Sequence, residues 1–134
     1  MITPGDVLKQ LAISAGYRVH VWDAVENGDA ADSYFWKQSG VGGAQSGPTF
    51  PSPEQAWCDC CETNGLLAPI AQEINQNGYG VIREPGFIAY RWVCQDGRIS
   101  DERFAHVAEA VIACAIALTT QQALEEDAHA PVMP

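Results

Sequence analysis

The sequence is poor in basic residues. Its 134 residues include seven lysines and arginines against seventeen aspartates and glutamates, which gives a net charge of −10 at pH 7. Contact with a phosphate backbone requires lysine or arginine to displace counterions, so this balance argues against direct binding of nucleic acid and of anionic membranes. It favours a protein partner with a basic surface instead.

No secretory leader is expected from the sequence, and it contains no long hydrophobic run. Residues 1–6 contain neither a basic nor an apolar stretch, and the longest apolar run, 111–118, is much shorter than the roughly 20 residues that a membrane helix needs. Five cysteines, an odd number in a chain long enough to bury an ordinary core, indicate reduced thiols. We therefore expect a cytoplasmic protein that does not contact a membrane.

Motifs of catalysis are missing as well. No serine lies in a nucleophile elbow, and the glycine-rich stretch at 39–47 is not followed by the lysine of a phosphate-binding loop. His20 and Asp23 are three positions apart on a predicted strand, so they point to opposite faces and cannot form a relay. We therefore predict a protein that is not an enzyme and that holds no cofactor and no metal.

The sequence does contain a regular succession of helix and strand signals. Capping residues, proline in the first turn and apolar spacings of three and four predict helices at 4–15, 53–63 and 67–77. Alternating apolar positions and turn dipeptides predict strands at 17–26, 33–37, 79–84 and 87–95. A last helix is expected to be capped by Ser100 and to end near 122–127, and 39–49 is predicted to be a mobile loop.

The two halves of the chain resemble each other. Five positions recur at one constant spacing, namely Leu8 and Ile70, Ala12 and Ile74, Gly16 and Gly78, Tyr17 and Tyr79, and Val19 and Val81. We therefore predict an α+β fold in which an α-β-β-α unit is duplicated, over about 3–65 and 66–124. The expected architecture is one domain over 1–130 with a mostly antiparallel four-stranded sheet and packed helices, followed by a flexible tail at 131–134.

The sharpest local motif is Trp57-Cys58-Asp59-Cys60-Cys61. Its C-x-x-C pair, Cys58 and Cys61, follows a tryptophan and is similar to the active-site segment of thioredoxins, which implies a thiol–disulfide or thiol-sensing protein. However, the capping box at Ser52 places Cys58 well inside a helix, where the helix dipole stabilises a thiolate little. The alternative is that these cysteines pack in the core as small hydrophobic residues.

Aromatic residues concentrate on the predicted strands. If helices cover only one face of the sheet, some of these rings lie on the open face and form a protein-binding surface ringed by acids. The residues of this predicted surface are Trp22, Trp36, Tyr90, Trp92, Asp29 and Asp32. The last helix is apolar on nearly all sides over 111–118, which fits deep burial or a homodimer and leaves an assembly subunit as another hypothesis.

The aromatic hairpin is followed by Thr49-Phe50-Pro51-Ser52-Pro53-Glu54-Gln55-Ala56-Trp57. In this respect the chain resembles the small acidic accessory proteins of bacteriophages and mobile elements, a resemblance that covers part of the chain and no single family. It implies an inhibitor of a bacterial defence or nucleic-acid-handling complex, some of which imitate the charge of DNA, acting in the host cytoplasm. The leading hypothesis is therefore a non-enzymatic, acidic, protein-binding regulator.

Overall fold

A computed structural model of the chain describes residues 2–28, 30–40, 48–86 and 89–129. The described residues contain helices and antiparallel strands, so the predicted α+β class is confirmed. The chain divides into two compact units, Met1–Leu67 and Ala68–Pro134. That the chain forms one domain over 1–130 stays a prediction, and the predicted tail at 131–134 lies outside the described residues.

The first unit is built from two helices of 11 residues and a hairpin whose turn contains a third, single-turn helix. Its elements are α1 (Pro4–Ser14), β1 (Tyr17–Trp22), the single-turn helix α2 (Ala24–Asn27), β2 (Ser33–Gln38) and α3 (Pro53–Thr63). Thr3 and Asp6 form a reciprocal capping box at the start of α1, and the Ser52 hydroxyl accepts the backbone N–H of Gln55 at the start of α3. The helix α1 packs against α3, and both contact the hairpin.

The second unit has the same order of helix, hairpin and helix. Its elements are α4 (Ala68–Gln76), β3 (Tyr79–Arg83), β4 (Tyr90–Cys94) and α5 (Val107–His129). Strands β3 and β4 are antiparallel, and α4 and both strands pack against α5. In each unit the hairpin therefore packs against the helix that closes the unit.

Both hairpins are extended by the same kind of backbone pairing. Tyr34 and Phe50 exchange N–H···O=C hydrogen bonds of 2.8 and 2.7 Å, and Tyr90 and Phe104 exchange two of 2.8 Å. In each unit a phenylalanine that precedes the closing helix is thus held at the outer edge of the second strand.

Both hairpins also begin at a glycine with a left-handed backbone. Gly16 has a φ of 95° and Gly78 a φ of 81°, a region that residues with a Cβ rarely adopt. The carbonyl of Gly16 accepts the N–H of Ser39 at 2.6 Å, and the carbonyl of Gly78 accepts the N–H of Gln95 at 2.7 Å. The helix therefore turns into the strand in the same way in both units.

The predicted four-stranded sheet is wrong. Within the described residues there are two separate two-stranded sheets, β1 with β2 and β3 with β4. The outer edges of β2 and β4 are met by Phe50, Phe104 and Ile99, so those edges cannot join another hairpin. Alternation of apolar residues predicts the partner within a hairpin, but it carries no information about which edges are covered.

Two predicted element boundaries are also wrong. Strand β1 ends at Trp22 instead of continuing to 26, because Asp23 accepts the N–H of Glu26 and starts the helix α2. The last helix begins at Val107 and not after Ser100. The Ser100 hydroxyl accepts the N–H of Trp92 and donates to a nearby carbonyl, so it holds the segment before α5 against β4. The predicted loop at 39–49 falls mostly outside the described residues.

The core lies along the helices. Its buried apolar side chains in the first unit include Leu8, Ala12, Ala56, Cys58, Cys60 and Cys61. Those of the second include Ile74, Tyr79, Phe104, Ala108, Ala110, Val111, Ile112, Cys114 and Leu118. By length and composition, α5 also contains one stretch that could cross a membrane, Val107–Leu124, of which 33% is buried. Core helices of soluble proteins meet the same criteria of length and composition, but those helices are mostly buried.

Candidate functional site

The first hairpin packs one of its two faces against α3. On this face the indole Nε1 of Trp36 donates to a carboxylate oxygen of Asp59 at 2.8 Å, and the Tyr17 hydroxyl donates to Oδ1 of Asn64 at 3.1 Å. The rings of Tyr17 and Trp36 meet edge to face with 5.6 Å between centroids. Trp36 is therefore a half-buried link between hairpin and helix rather than part of an open surface.

The second hairpin repeats this arrangement against α5. Tyr79 and Trp92 contact each other with 5.9 Å between ring centroids, and the register places Tyr90 on the same face. Trp92 and Tyr90 are half-buried. Three of the four aromatic residues that the sequence assigns to a binding surface, Trp36, Tyr90 and Trp92, thus lie on helix-facing sides of the hairpins.

The turn of the first hairpin exposes apolar side chains among acids. We call it the acidic tip and define it as Val21, Trp22, Asp23, Val25, Glu26 and Asp32. The side chains of Val25, Val21 and Trp22 are 94%, 54% and 36% exposed. Asp32 accepts the backbone N–H of Ala24 at 2.7 Å, which fixes the turn. The structure therefore brings Trp22 and Asp32 together at one surface, while Asp29 lies outside the described residues.

The side of the first hairpin that faces away from α3 has a different character. We call it the outer face, formed by Arg18, His20 and Trp22 of β1 and Ser33, Phe35 and Lys37 of β2. His20 stacks on Phe35 with 5.5 Å between centroids and 28° between the ring planes. Arg18 lies directly opposite Lys37, and its guanidinium donates to the backbone carbonyls of Ile13 and Tyr17.

Sequence reasoning missed the outer face. The alternation of Arg18 and His20 with apolar residues was visible, but the partner strand decides which side chains lie beside them. An antiparallel register centred on Asn27-Gly28 places Phe35 and Lys37 opposite these two residues, and the observed pairing has this register. That turn dipeptide was therefore the signal that could have revealed the face.

The cysteines of the C-x-x-C pair are inside the protein. Cys58 is 2% exposed, and Cys60 and Cys61 are fully buried. Burial raises the pKa of Cys60 to about 11 and that of Cys61 to about 12, and the Cys61 thiol donates to the backbone carbonyl of Leu8. A thiolate is therefore disfavoured at Cys60 and Cys61, and a redox role of the Cys58–Cys61 pair stays a hypothesis.

A different cysteine reaches the surface. Cys94 is half-exposed and lines a cleft of about 180 Å³ together with Tyr79, Arg98 and Leu118. The guanidinium of Arg98 donates to the Cys94 sulfur at 3.5 Å and to the Tyr79 hydroxyl at 3.0 Å. Cys94 lies on a strand among apolar residues, a pattern that is typical of a core position. Only the packing of β4 against α5 shows that one side of it stays open.

The second unit also carries a cluster of opposite charges. Glu84 accepts two hydrogen bonds from Arg103, at 2.5 and 3.0 Å, and lies 3.7 Å from Arg91. These hydrogen bonds, and to a smaller extent the two positive charges, hold the pKa of Glu84 below its usual value. The cluster connects the turn of the second hairpin with the segment that leads into α5.

No protein family, no curated protein and no solved structure matches this chain.

Proposed function

We propose that this chain is a non-enzymatic, acidic, protein-binding protein, and that the acidic tip of the first hairpin is its binding surface. The observation that carries the proposal is Val25, which is 94% exposed at the end of a hairpin beside Trp22. An apolar side chain held almost wholly in water contributes nothing to the core, whereas its burial against a partner contributes up to about 1.5–3 kcal/mol. A partner protein with an apolar pocket could therefore bind Val25 as an anchor residue.

The charges of the acidic tip define the kind of partner. Asp23, Glu26 and Asp32 surround the exposed apolar side chains and add to a chain that already has a net charge of −10. Such a surface attracts a basic one, accelerates the encounter and repels phosphate backbones. The partner is therefore a protein with a basic rim around an apolar pocket, and not nucleic acid itself.

Basic surfaces of this kind are common on complexes that handle nucleic acids. Together with the resemblance of Thr49–Trp57 and the preceding hairpin to accessory proteins of bacteriophages, this favours an inhibitor of a bacterial defence or nucleic-acid-handling complex that acts in the cytoplasm. The acidic tip would occupy part of the surface that normally holds nucleic acid.

We further propose that the chain arose by duplication of an α-β-β-α unit. The shared left-handed glycines, the shared Tyr–Trp contact on each hairpin and the shared pairing to a phenylalanine support it. Counted from those phenylalanines, Ala56 corresponds to Ala110 and Cys60 to Cys114, and all four side chains are fully buried. On this proposal the two copies kept their packing and diverged at their surfaces.

The binding proposal is tested by capturing partners on the immobilised chain. Bacterial lysates are passed over the wild type, Val25→Ser and Glu26→Lys, with Leu124→Ser as the control because Leu124 is also exposed, at 60%. Proteins retained by the wild type and by the control are identified by mass spectrometry, purified and titrated. We expect each tip variant to weaken binding at least about tenfold and the wild-type affinity to fall with salt.

Two results would overturn the proposal. One is a purified partner that binds Val25→Ser and Glu26→Lys as tightly as the wild type. The other is a partner set without basic surfaces whose binding does not respond to salt.

A further inference from the structure

The outer face carries a pair of like charges that costs the hairpin stability. Arg18 and Lys37 lie directly opposite each other, and like charges in opposed positions destabilise an antiparallel pair. Within the described part of the chain neither cation forms an ion pair, and the outer face contains no acid. Two of only seven basic residues thus lie on opposed positions of one hairpin, where the Arg18 guanidinium donates to the carbonyls of Ile13 and Tyr17. Local conflicts of this kind are expected at functional surfaces.

The first hairpin has opposite charge at its two ends. Arg18 and Lys37 lie at its base, whereas Asp23, Glu26 and Asp32 lie at its tip. Between the two ends the outer face presents the stacked rings of His20 and Phe35 and the exposed indole of Trp22. A surface that is cationic at one end, aromatic in the middle and anionic at the other end is complementary to itself when it is turned around.

We infer that a second copy of this chain binds to the outer face, so that two hairpins stack face to face and antiparallel about a two-fold axis. With the axis near the His20–Phe35 pair, the base of each hairpin lies over the tip of the other. Arg18 and Lys37 then reach the indole of the second copy's Trp22 for cation–π contact and the carboxylates of its tip. Each contact occurs twice, as in the closed two-fold dimers that are commonest among soluble oligomers.

A second copy explains the outer face better than an unrelated partner does, because both complementary halves are present on one hairpin. The two six-residue strands span roughly 20 Å, so two stacked hairpins bury less than the roughly 1,200 Å² of the smallest standard interfaces, an area that fits a weak and transient contact. The dimer is therefore weak, with a dissociation constant on the order of 10–100 μM, and it weakens as salt screens the charges.

This inference goes beyond the proposed function, because it assigns the outer face and not only the acidic tip. The proposed binding of a partner and the proposed dimer can be tested separately. A dimer covers the tip and competes with a partner protein, but association of the chain with itself is measured without any partner.

The test is sedimentation equilibrium of the full chain with a pair of complementary charge reversals. Lys37→Glu places two acids opposite each other at both contacts of its homodimer, and Glu26→Lys places two cations there. We expect each variant alone to associate at least about tenfold more weakly than the wild type. In an equimolar mixture both contacts of the mixed dimer again join opposite charges, so we expect association close to that of the wild type.

Two controls separate this dimer from general charge effects. Arg83→Glu makes the same change of net charge at an exposed position of the second hairpin and should leave association unchanged. Lys37→Glu also removes the repulsion from Arg18 within each hairpin, so the melting temperature of its monomer should rise while its dimer is lost. If Lys37→Glu does not fold, Arg18→Glu replaces it in the same design.

Three outcomes would overturn the inference. The first is a wild-type chain that remains monomeric up to about 1 mM, far above the expected dissociation constant. The second is a mixture that associates no better than the separate variants. The third is an Arg83→Glu variant that loses association as strongly as Lys37→Glu.

Discussion

The hydrogen bond between Trp36 and Asp59 offers a quantitative test of how the first hairpin is held on α3. Replacing Trp36 by Phe removes the indole N–H that donates to Asp59 at 2.8 Å and part of the ring area. Trp92 supplies a matched control, because it occupies the same position in the second hairpin and its indole donates no hydrogen bond within the described residues. Trp92→Phe therefore removes similar ring area and no such bond.

The expected difference follows from the geometry of the bond. A hydrogen bond to a charged group contributes about 1.5–3 kcal/mol, and the lower end applies here because Asp59 is half-buried and water can replace part of the interaction. We therefore expect Trp36→Phe to lower the free energy of unfolding by about 1–1.5 kcal/mol more than Trp92→Phe does.

Urea denaturation followed by far-ultraviolet circular dichroism measures both variants without relying on tryptophan fluorescence. Asp59→Ala and the double variant Trp36→Phe with Asp59→Ala complete a cycle, and its coupling energy should be about 1 kcal/mol. Equal destabilisation by Trp36→Phe and Trp92→Phe, or a coupling energy near zero, would refute the role of this bond.

Three further predictions concern thiols, turns and pH. In the native chain Cys94 should react first with a thiol reagent such as DTNB, and equal labelling of all five cysteines before unfolding would contradict their burial. Alanine at Gly16 or Gly78 should lower the free energy of unfolding by about 1 kcal/mol or more because both have positive φ. Gly78→Ala should cost more because its Cβ would lie 3.2 Å from the Cβ of Gln95, which a side-chain rotation cannot move away, whereas Gly16 has no such neighbour. If Gly16→Ala and Gly78→Ala have equal denaturation midpoints, Gln95 moves aside and its contact adds no cost. The lowered pKa of Glu84 stabilises the fold above its usual value of 4.5, and this contribution is lost as pH falls through the lower folded pKa. Glu84→Gln should therefore flatten the fall of the melting temperature with acidification, and an unchanged pH profile would argue against the cluster.

Local signals predicted most of the secondary structure because the interactions behind them are local. The capping residues Thr3 and Ser52 accept N–H groups within their own first turn, and a left-handed glycine ends a helix wherever it occurs. The register of the first hairpin also follows from Asn27-Gly28, although the turn itself contains a helical turn and not a two-residue loop.

Where prediction failed, a distant segment outweighed a local preference. Ser100 followed by two acids has the composition of a helix start, but pairing of Ile99 and Phe104 with β4 prevents this segment from forming a helix. The same pairing occupies an edge of β4, which is one reason why the strands do not form a single sheet. A local sequence pattern does not indicate how much free energy is gained when a distant segment pairs with a strand edge.

For the candidate sites, the sequence determined the chemistry available and the tertiary structure determined its exposure. The acidity of the chain, the aromatic hairpins and the C-x-x-C pair could all be read from composition and spacing. Which side chains meet solvent depends on which face of a hairpin a helix covers. That choice turned Trp36 and Trp92 inward and enclosed Cys58 and Cys61, and it left Trp22 and Val25 exposed at an acidic tip. Burial is decided by the summed packing of segments far apart in sequence, so it became visible only in the folded chain.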